Sequence, residues 1–268
     1  MKRFSKVDNF EAAWRRDGFV VINDLFPKPD LTDFKTEIAK LFAARFERDI
    51  NDVEVGLDVV RSGYESSRPK WQECAKRLWN LPALAHLAGL HEVCDLVRKL
   101  GLRLPVYSTP PEVRIDMPND QQYMQPWHQD WRYGQGSLNS ITMWTPLHDV
   151  ARIHGALEIA GGSHILGYLD VEELQKPRRF SIIDKRFSGD GGKMIEVAFG
   201  ETVIFSQFLA HRSSANTSNI PRITFQLRFS DLLDKAYVEQ GYAAPQSSAI
   251  VWSQLPSADA LRSLFSFN

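Results

Sequence analysis

The stretch PWHQDW, Pro126–Trp131, sets His128 two residues before Asp130. In a β-strand such residues project from the same face, with Gln129 turned the other way. Imidazole and carboxylate side by side are metal-ligand chemistry. Two histidines and one carboxylate on one face of an octahedron leave open positions and suit a non-haem Fe(II) that activates dioxygen. By itself His-x-Asp is a weak signal, because such pairs also occur on strand surfaces. A third ligand must come from elsewhere. The other histidines are His86, His91, His148, His154, His164 and His211. His86 and His91 fall in a helical region, where a helix surface or a core is the simpler setting. His148, His154 and His164 flank middle strands, and His164 follows Gly-Ser at a turn, which reads as structural. His211 ends the apolar run ETVIFSQFLA and opens the polar turn HRSSANTSNIPR, a position that suits a third ligand.

Arg222 lies eleven residues after His211, where the next strand, RITFQLRF, begins. An arginine aimed into a sheet-lined pocket is costly unless paired. Its planar fork matches a carboxylate, so a dicarboxylate that also chelates iron would satisfy it. Ser213, two residues after His211, could add a hydroxyl to the same carboxylate. Taken singly, Arg222 reads as a solvated strand end and Ser213 as a turn hydroxyl. If Arg222 faces inward, Thr224, Gln226 and Arg228 share its face. Arg228 is then a candidate substrate-anion contact, with a rim salt bridge as the other reading. Gln207 shares the parity of His211 and is expected to face the pocket. Trp131, Arg132 and Tyr133 follow the metal pair and could form a wall of the substrate site, or simply pack. Asn216 is expected to support the polar turn.

These residues need a scaffold that brings distant strands together. The first hundred residues read as mostly helical. Phe10 and Trp14 sit one helical turn apart behind the potential caps Asp8 and Asn9, Gly18 ends that pattern, and FVVINDLF reads as a short strand. Asp30 is a plausible N-cap for an amphipathic helix through Leu31, Phe34, Ile38, Leu41 and Phe42. Leu90 to Leu100 repeats the helical spacing and Gly101 supplies a stop. After Pro105 come short β-prone runs: EVRIDM, SITMWTPL, ALEIA, MIEVAF, ETVIFSQF and RITFQLRF. Strands at that density point to a sandwich or barrel. The pattern predicts one domain over 1–268, with a helical layer at about 1–104, a β core at about 105–232 and a tail at 233–268, whose aromatic end includes Phe265 and Phe267. The polar segment from Gly167 to Gly192 reads as a lid or a solvated loop.

The chain has 268 residues, 43% hydrophobic and 24% charged, with a formal net charge of −1. That near-neutrality gives no pull toward nucleic acid or an anionic membrane, and the basic triplet Pro177–Arg179 is too short to claim one. No run approaches the roughly 18 apolar residues of a membrane span, and no signal-peptide pattern follows the initial MKRF. Cys74 and Cys94 form no CxxC pair, in keeping with reduced thiols and a cytoplasmic protein.

His128, Asp130, His211 and Arg222, with their spacing and order, resemble the phytanoyl-CoA dioxygenase family of Fe(II)- and 2-oxoglutarate-dependent oxygenases. Ser213 matches the family's serine after the distal histidine, and Trp144 in MWTPL looks equivalent to a tryptophan that lies beside 2-oxoglutarate. RRDGFVVINDLF and HGALEIAGGSH resemble further family segments, so the likeness runs from about Phe10 to Asp231. Gly161 stands where the family usually has proline, and Glu201 where it often has aspartate.

The resemblance implies a double-stranded β-helix, a jelly-roll with helices packed outside. It implies Fe(II) on His128, Asp130 and His211, with 2-oxoglutarate held by Arg222, Ser213 and Trp144. Dioxygen and 2-oxoglutarate would be consumed to hydroxylate an aliphatic C–H of a small, polar metabolite, releasing succinate and carbon dioxide. Related halogenases lack the metal carboxylate; Asp130 is present, which points to hydroxylation. Trp131, Arg132, Gln207 and Arg228 are the candidate substrate residues. Two other classes stay open: a zinc hydrolase or isomerase on the same fold, and a non-catalytic metal-binding jelly-roll.

Overall fold

The computed structural model describes residues 1–50, 56–122, 124–175, 179–188, 191–243 and 249–266. Pro177 and Arg178 of the basic triplet, and Phe267, lie outside the described residues. The strands are β1 (Phe4–Ser5), β2 (Phe19–Asn23), β3 (Pro105–Asp116), β4 (Ile141–Pro146), β5 (Leu157–Ile159), β6 (Val171–Leu174), β7 (Arg179–Ile182), β8 (Lys193–Ile195), β9 (Glu201–Ser206), β10 (His211–Arg212) and β11 (Arg222–Asp231). The helices are α1 (Glu11–Asp17), α2 (Lys28–Arg45), α3 (Gly56–Ser66), α4 (Arg68–Ala75), α5 (Pro82–Ala88), α6 (His91–Lys99), α7 (Trp131–Gly134), α8 (Lys235–Glu239) and α9 (Ala258–Phe265).

The large sheet runs β1-β2-β9-β4-β11-β3, the small sheet β10-β5-β8, and β6-β7 is a separate hairpin. All six β-prone runs after Pro105 carry a strand, and FVVINDLF supplies β2, which enters the large sheet beside β9. The two faces of the large sheet differ because side chains alternate along each strand. Ile223, Phe225, Leu227 and Phe229 of β11, with Ile141 and Met143 of β4, pack against Phe26, Phe34, Ile38 and Phe42 around α2. Phe225 meets Phe26 and Phe34 edge-on at 5.1 and 5.9 Å. Each such side chain contributes roughly 1.5–3 kcal/mol on burial. The other face looks toward the small sheet. At the β2–β9 end it is apolar, through Phe19, Val21, Val203 and Phe205 against Leu157, Ile159 and Ile195. At the β11–β3 end the same face carries Arg222, Thr224, Gln226 and Arg228 opposite Asp116, Arg114 and Glu112. This is a jelly-roll with a helical layer on one side and a polar chamber between its sheets.

Several local readings change. Asp30 does not cap α2: the helix starts at Lys28, Pro27 occupies the cap position, and a proline in the first turn pre-sets the backbone. Asp30 instead faces His86, at 3.1 Å. Ahead of α1, Asn9 Oδ1 accepts the Glu11 N–H at 3.1 Å, and Gly18 ends the helix at φ 74°. The 167–192 segment is more than a loop. It contains the β6–β7 hairpin, and Ile182 N–H donates to Trp127 O at 2.8 Å.

Candidate active site

His128 and Asp130 do not share a strand. His128 forms one isolated bridge with His211, through His128 N–H to His211 O at 2.9 Å and the reverse bond at 3.1 Å. The backbone then turns, and Asp130, at φ −62° and ψ −29°, leads into α7. A tight turn, not strand alternation, brings the two side chains together. Gln129 anchors that turn. Its amide donates to Gly167 O at 2.9 Å and Phe208 O at 2.7 Å, and its Oε1 accepts Leu169 N–H at 2.9 Å.

The bridge places His211 beside the pair. Asp130 Oδ1 lies 3.6 Å from His128 Nε2 and 3.8 Å from His211 Nε2. Ligand atoms of all three residues fall within 4.8 Å of one another, and all three residues are buried. Each imidazole has its Nδ1 against a backbone carbonyl: His128 at 2.8 Å from Pro126 O, His211 at 2.9 Å from Leu209 O. That bond fixes the proton on Nδ1 and leaves the Nε2 lone pair for a metal. Burial, then the neighbouring His128, lowers the His211 pKa to about 3, so the ring stays neutral as a ligand must. Burial alone would raise the Asp130 pKa. Arg228, and then the two histidines, outweigh it and hold the carboxyl well below its ordinary range.

Arg222 sits in the same chamber, on the inward face of β11. Its Nη2 donates to Asp116 Oδ2 at 2.7 Å, and Asp116 also accepts both Nε and Nη2 of Arg114. Against the burial penalty, Arg114 and then Arg222 keep Asp116 ionised, far below the ordinary carboxylate range. Arg222 is 2% exposed, and its Nε and Nη1 are buried with no hydrogen-bond partner. Its guanidinium carbon stands 5.9 Å from the Trp144 ring centre. A cavity of about 290 Å³ joins the triad, Trp144, Ser213, Arg222, Gln226 and Arg228. The expected metal and cosubstrate residues therefore meet in one place.

The expected substrate residues do so only in part. Arg228 lines the cavity, but its donors go to Asp130, Glu112 and Gln226. Gln207 does not line it: the residue falls in the turn after β9, where strand parity with His211 is lost, and its amide donates to Ser108 and Ile141, each at 3.0 Å. Trp131 is carried away by α7, fully buried against Phe208, Tyr168 and Trp252. Arg132 also lies off the cavity, its guanidinium 4.1 Å from the Phe180 ring centre. Of that run only Tyr133 reaches the wall. Sequence reasoning missed Glu112, Arg114, Asp116 and Thr142. The signal was there in EVRIDM: three charges of one parity on a β-prone run must be paired if that face is buried.

Two supports explain neighbouring motifs. Ser163 Oγ accepts Ala210 N–H at 2.8 Å, so the Gly-Ser-His turn pins the residue before His211. Asn216 Nδ2 donates to Asp116 O at 3.1 Å and Ile220 O at 2.8 Å, bracing the polar turn as expected. His164 faces the α1 end and Phe265, and His148 accepts Ile223 N–H at 3.3 Å; neither joins the triad.

The family model described as phytanoyl-CoA dioxygenase (PhyH) matches residues 14–224, a span that holds the triad, Ser213 and Arg222. The chain belongs to the phytanoyl-CoA dioxygenase family. No curated protein matches it in sequence. The phytanoyl-CoA dioxygenase fold is shared with solved structures. EctD from S. alaskensis, determined with 2-oxoglutarate and 5-hydroxyectoine, is 17% identical with a TM-score of 0.60, over 86% of this chain and 78% of that one. The non-heme monooxygenase ThoJ, in its apo form, is 18% identical with a TM-score of 0.59, over 83% and 77%. The epimerase SnoN, in complex with Fe3+, alpha ketoglutarate and nogalamycin RO, is 17% identical with a TM-score of 0.52, over 92% and 93%. At these identities the likeness is one of fold. Among the described residues no helix is long and apolar enough to cross a membrane.

Proposed function

We propose that this chain is a non-haem Fe(II)- and 2-oxoglutarate-dependent dioxygenase that hydroxylates an aliphatic C–H of a small, polar metabolite. One observation carries the reading. A donor set of two histidines and one carboxylate shares a cavity of about 290 Å³ with an arginine that has two buried, partnerless donors. The donor set fits iron, because both Nε2 lone pairs and Asp130 Oδ1 face one point. The partnerless Nη1 of Arg222 can donate to the distal carboxylate of a dicarboxylate cosubstrate. A zinc hydrolase or isomerase has no need of that second feature.

Iron would be held by His128, Asp130 and His211. When bound, it supplies the coupling of 2-oxoglutarate decarboxylation, to succinate and carbon dioxide, with delivery of one oxygen atom of O2 into a C–H bond. The chain's own residues do the rest. Arg222 and Ser213 orient the cosubstrate, and Trp144 forms its wall. Phe205 and Leu157 keep the floor of the chamber apolar. The volume stands at the low end for ligand pockets, roughly 300–1,000 Å³, and must also take the cosubstrate, which favours a small substrate or one reacting end. Among the described residues that line the cavity, Arg114 and Arg228 are engaged by acidic neighbours, which leaves Arg222 as the arginine with partnerless donors there. We read the whole chain as one catalytic unit, since Trp252 and Leu261 of the tail pack on Trp131 and Phe208 beside the metal turn.

The test is anaerobic addition of Fe(II) and 2-oxoglutarate to the apo protein, followed by succinate release over a substrate panel. A weak visible charge-transfer band is expected, lost in Asp130→Ala and His211→Ala, which should also turn over no substrate. Tight zinc uptake without the band would instead favour a hydrolase or isomerase. No metal uptake would favour a non-catalytic module.

A further inference from the structure

Asp130 presents two equivalent oxygens to the chamber, and rotation about the final bond of aspartate is intrinsically soft. Its surroundings break that symmetry. Oδ2 accepts Thr142 Oγ1–H at 2.7 Å and Arg228 Nε–H at 3.1 Å. Oδ1 is left as the atom nearest both histidine Nε2 positions. Arg228 is fixed in its turn. Its Nη1 donates to Glu112 Oε2 at 2.9 Å and its Nη2 to Gln226 Oε1. Glu112 and Gln226 are themselves register partners across β3 and β11. Thr142 projects from β4, the other neighbour of β11, and is fully buried. Two adjacent strands, β4 and β11, thus place donors on one carboxylate oxygen, and β3 braces one of those donors through Glu112.

We propose that Arg228 is a positioning residue for iron: with Thr142 it turns Asp130 so that Oδ1 alone ligates the ion. The inference rests on the iron reading above and assigns Arg228 to the metal and not to a substrate anion. The reason is geometric. In an octahedral site a carboxylate binding through both oxygens would fill a position that the triad must leave open. A charge-assisted donor on Oδ2 opposes that, and more strongly than a neutral hydroxyl alone. Glu112 offsets the charge of Arg228, so the guanidinium can approach a cation site without standing there uncompensated.

The probe is Co(II), titrated anaerobically into apo protein with neither cosubstrate nor substrate, read by affinity and by ligand-field spectrum. The proteins are wild type, Thr142→Val, Arg228→Lys, Arg228→Met, and the double variant Glu112→Gln/Arg228→Met, which avoids stranding the Glu112 charge if the single variant unfolds. Circular dichroism checks the fold. Arg228→Met is expected to weaken Co(II) about 10- to 100-fold, the range for lost outer partners of metal ligands. Thr142→Val should weaken it less, both spectra should change, and Arg228→Lys should recover part of the loss. Wild-type affinity and spectrum in folded Thr142→Val and Arg228→Met proteins would overturn the proposal. So would tighter Co(II) in Arg228→Met, because the guanidinium would then oppose the ion more than it places the ligand. Failure of the wild-type protein to take up Co(II) is a separate result, which overturns the iron reading beneath it.

Discussion

Arg222 and Asp116 are register partners on β11 and β3, joined by a buried 2.7 Å ion pair. Asp116 holds one end of the guanidinium while Nε and Nη1 stay without partners. The aspartate therefore aims the arginine, and its loss should be felt at the cosubstrate.

Asp116→Asn should weaken 2-oxoglutarate binding about tenfold, as removal of an orienting partner does at comparable sites. It also leaves Arg114 and Arg222 short of a counter-charge, and breaking a buried pair costs about 3–5 kcal/mol. Anaerobic cosubstrate titration and urea unfolding read the two effects separately. Unchanged 2-oxoglutarate affinity would remove Asp116 from the clamp.

Arg222→Ala should lose cosubstrate affinity while Co(II) uptake by the triad stays near wild type, because Arg222 has no bond to a triad residue. Arg222→Lys should restore only part, since an ammonium cannot offer the planar fork. If Arg222→Ala lowers Co(II) and 2-oxoglutarate affinity together, the clamp and the metal site are not independent.

Acid should destabilise the apo protein in a definite window. Burial lowers the pKa of His148 and of His164 from 6.5 to about 4. The unfolded chain takes up those protons first as pH falls, so the stability is fully present above pH 6.5 and declines toward pH 4. At about 1.4 kcal/mol per pKa unit, each contributes on the order of 3 kcal/mol at most. Urea midpoints between pH 7.5 and pH 5, compared in wild type and in His148→Gln and His164→Gln, should show a shallower slope in both variants. Equal slopes would sink the assignment.

Gly18→Ala should be among the costliest small substitutions. The backbone there has φ +74°, and a Cβ would stand 2.3 Å from His164 Nδ1. Left-handed strain alone costs roughly 1–2 kcal/mol, and displacing His164 disturbs the turn that pins Ala210 and hence His211. Thermal melts and Co(II) affinity should both fall. A variant as stable as wild type would show that the turn can shift freely.

The chemistry of the site was legible in the sequence because it lies in residue types that few other roles require. His128, Asp130, His211 and Arg222 meet as their order and spacing suggested. The geometry was less legible. Strand parity is expected through PWHQDW and past Ser206, but both segments turn: a turn joins His128 to Asp130, Gln207 points elsewhere, and Trp131, expected at the wall from its place after Asp130, is carried off by α7. Parity holds only while a strand is continuous. The ladder of Glu112, Arg114 and Asp116 is hard to read because its partners on β11 are up to 116 residues away. Asp30 shows the same at smaller scale: a good cap residue lost its place to the proline-led start of α2.

The bridge between His128 and His211, and the pairing of Asp116 with Arg222, also govern the order of events during synthesis. Each joins a residue made early to one made late. A ribosome-bound chain that has emitted only His128 and Asp130 owns two donors and no clamp. The donor set is complete only once His211 on β10 has bridged to His128, and the arginine is oriented only once β11 has docked between β3 and β4. A fragment that ends before His211 thus lacks the third donor, and one that ends before Arg222 lacks the arginine.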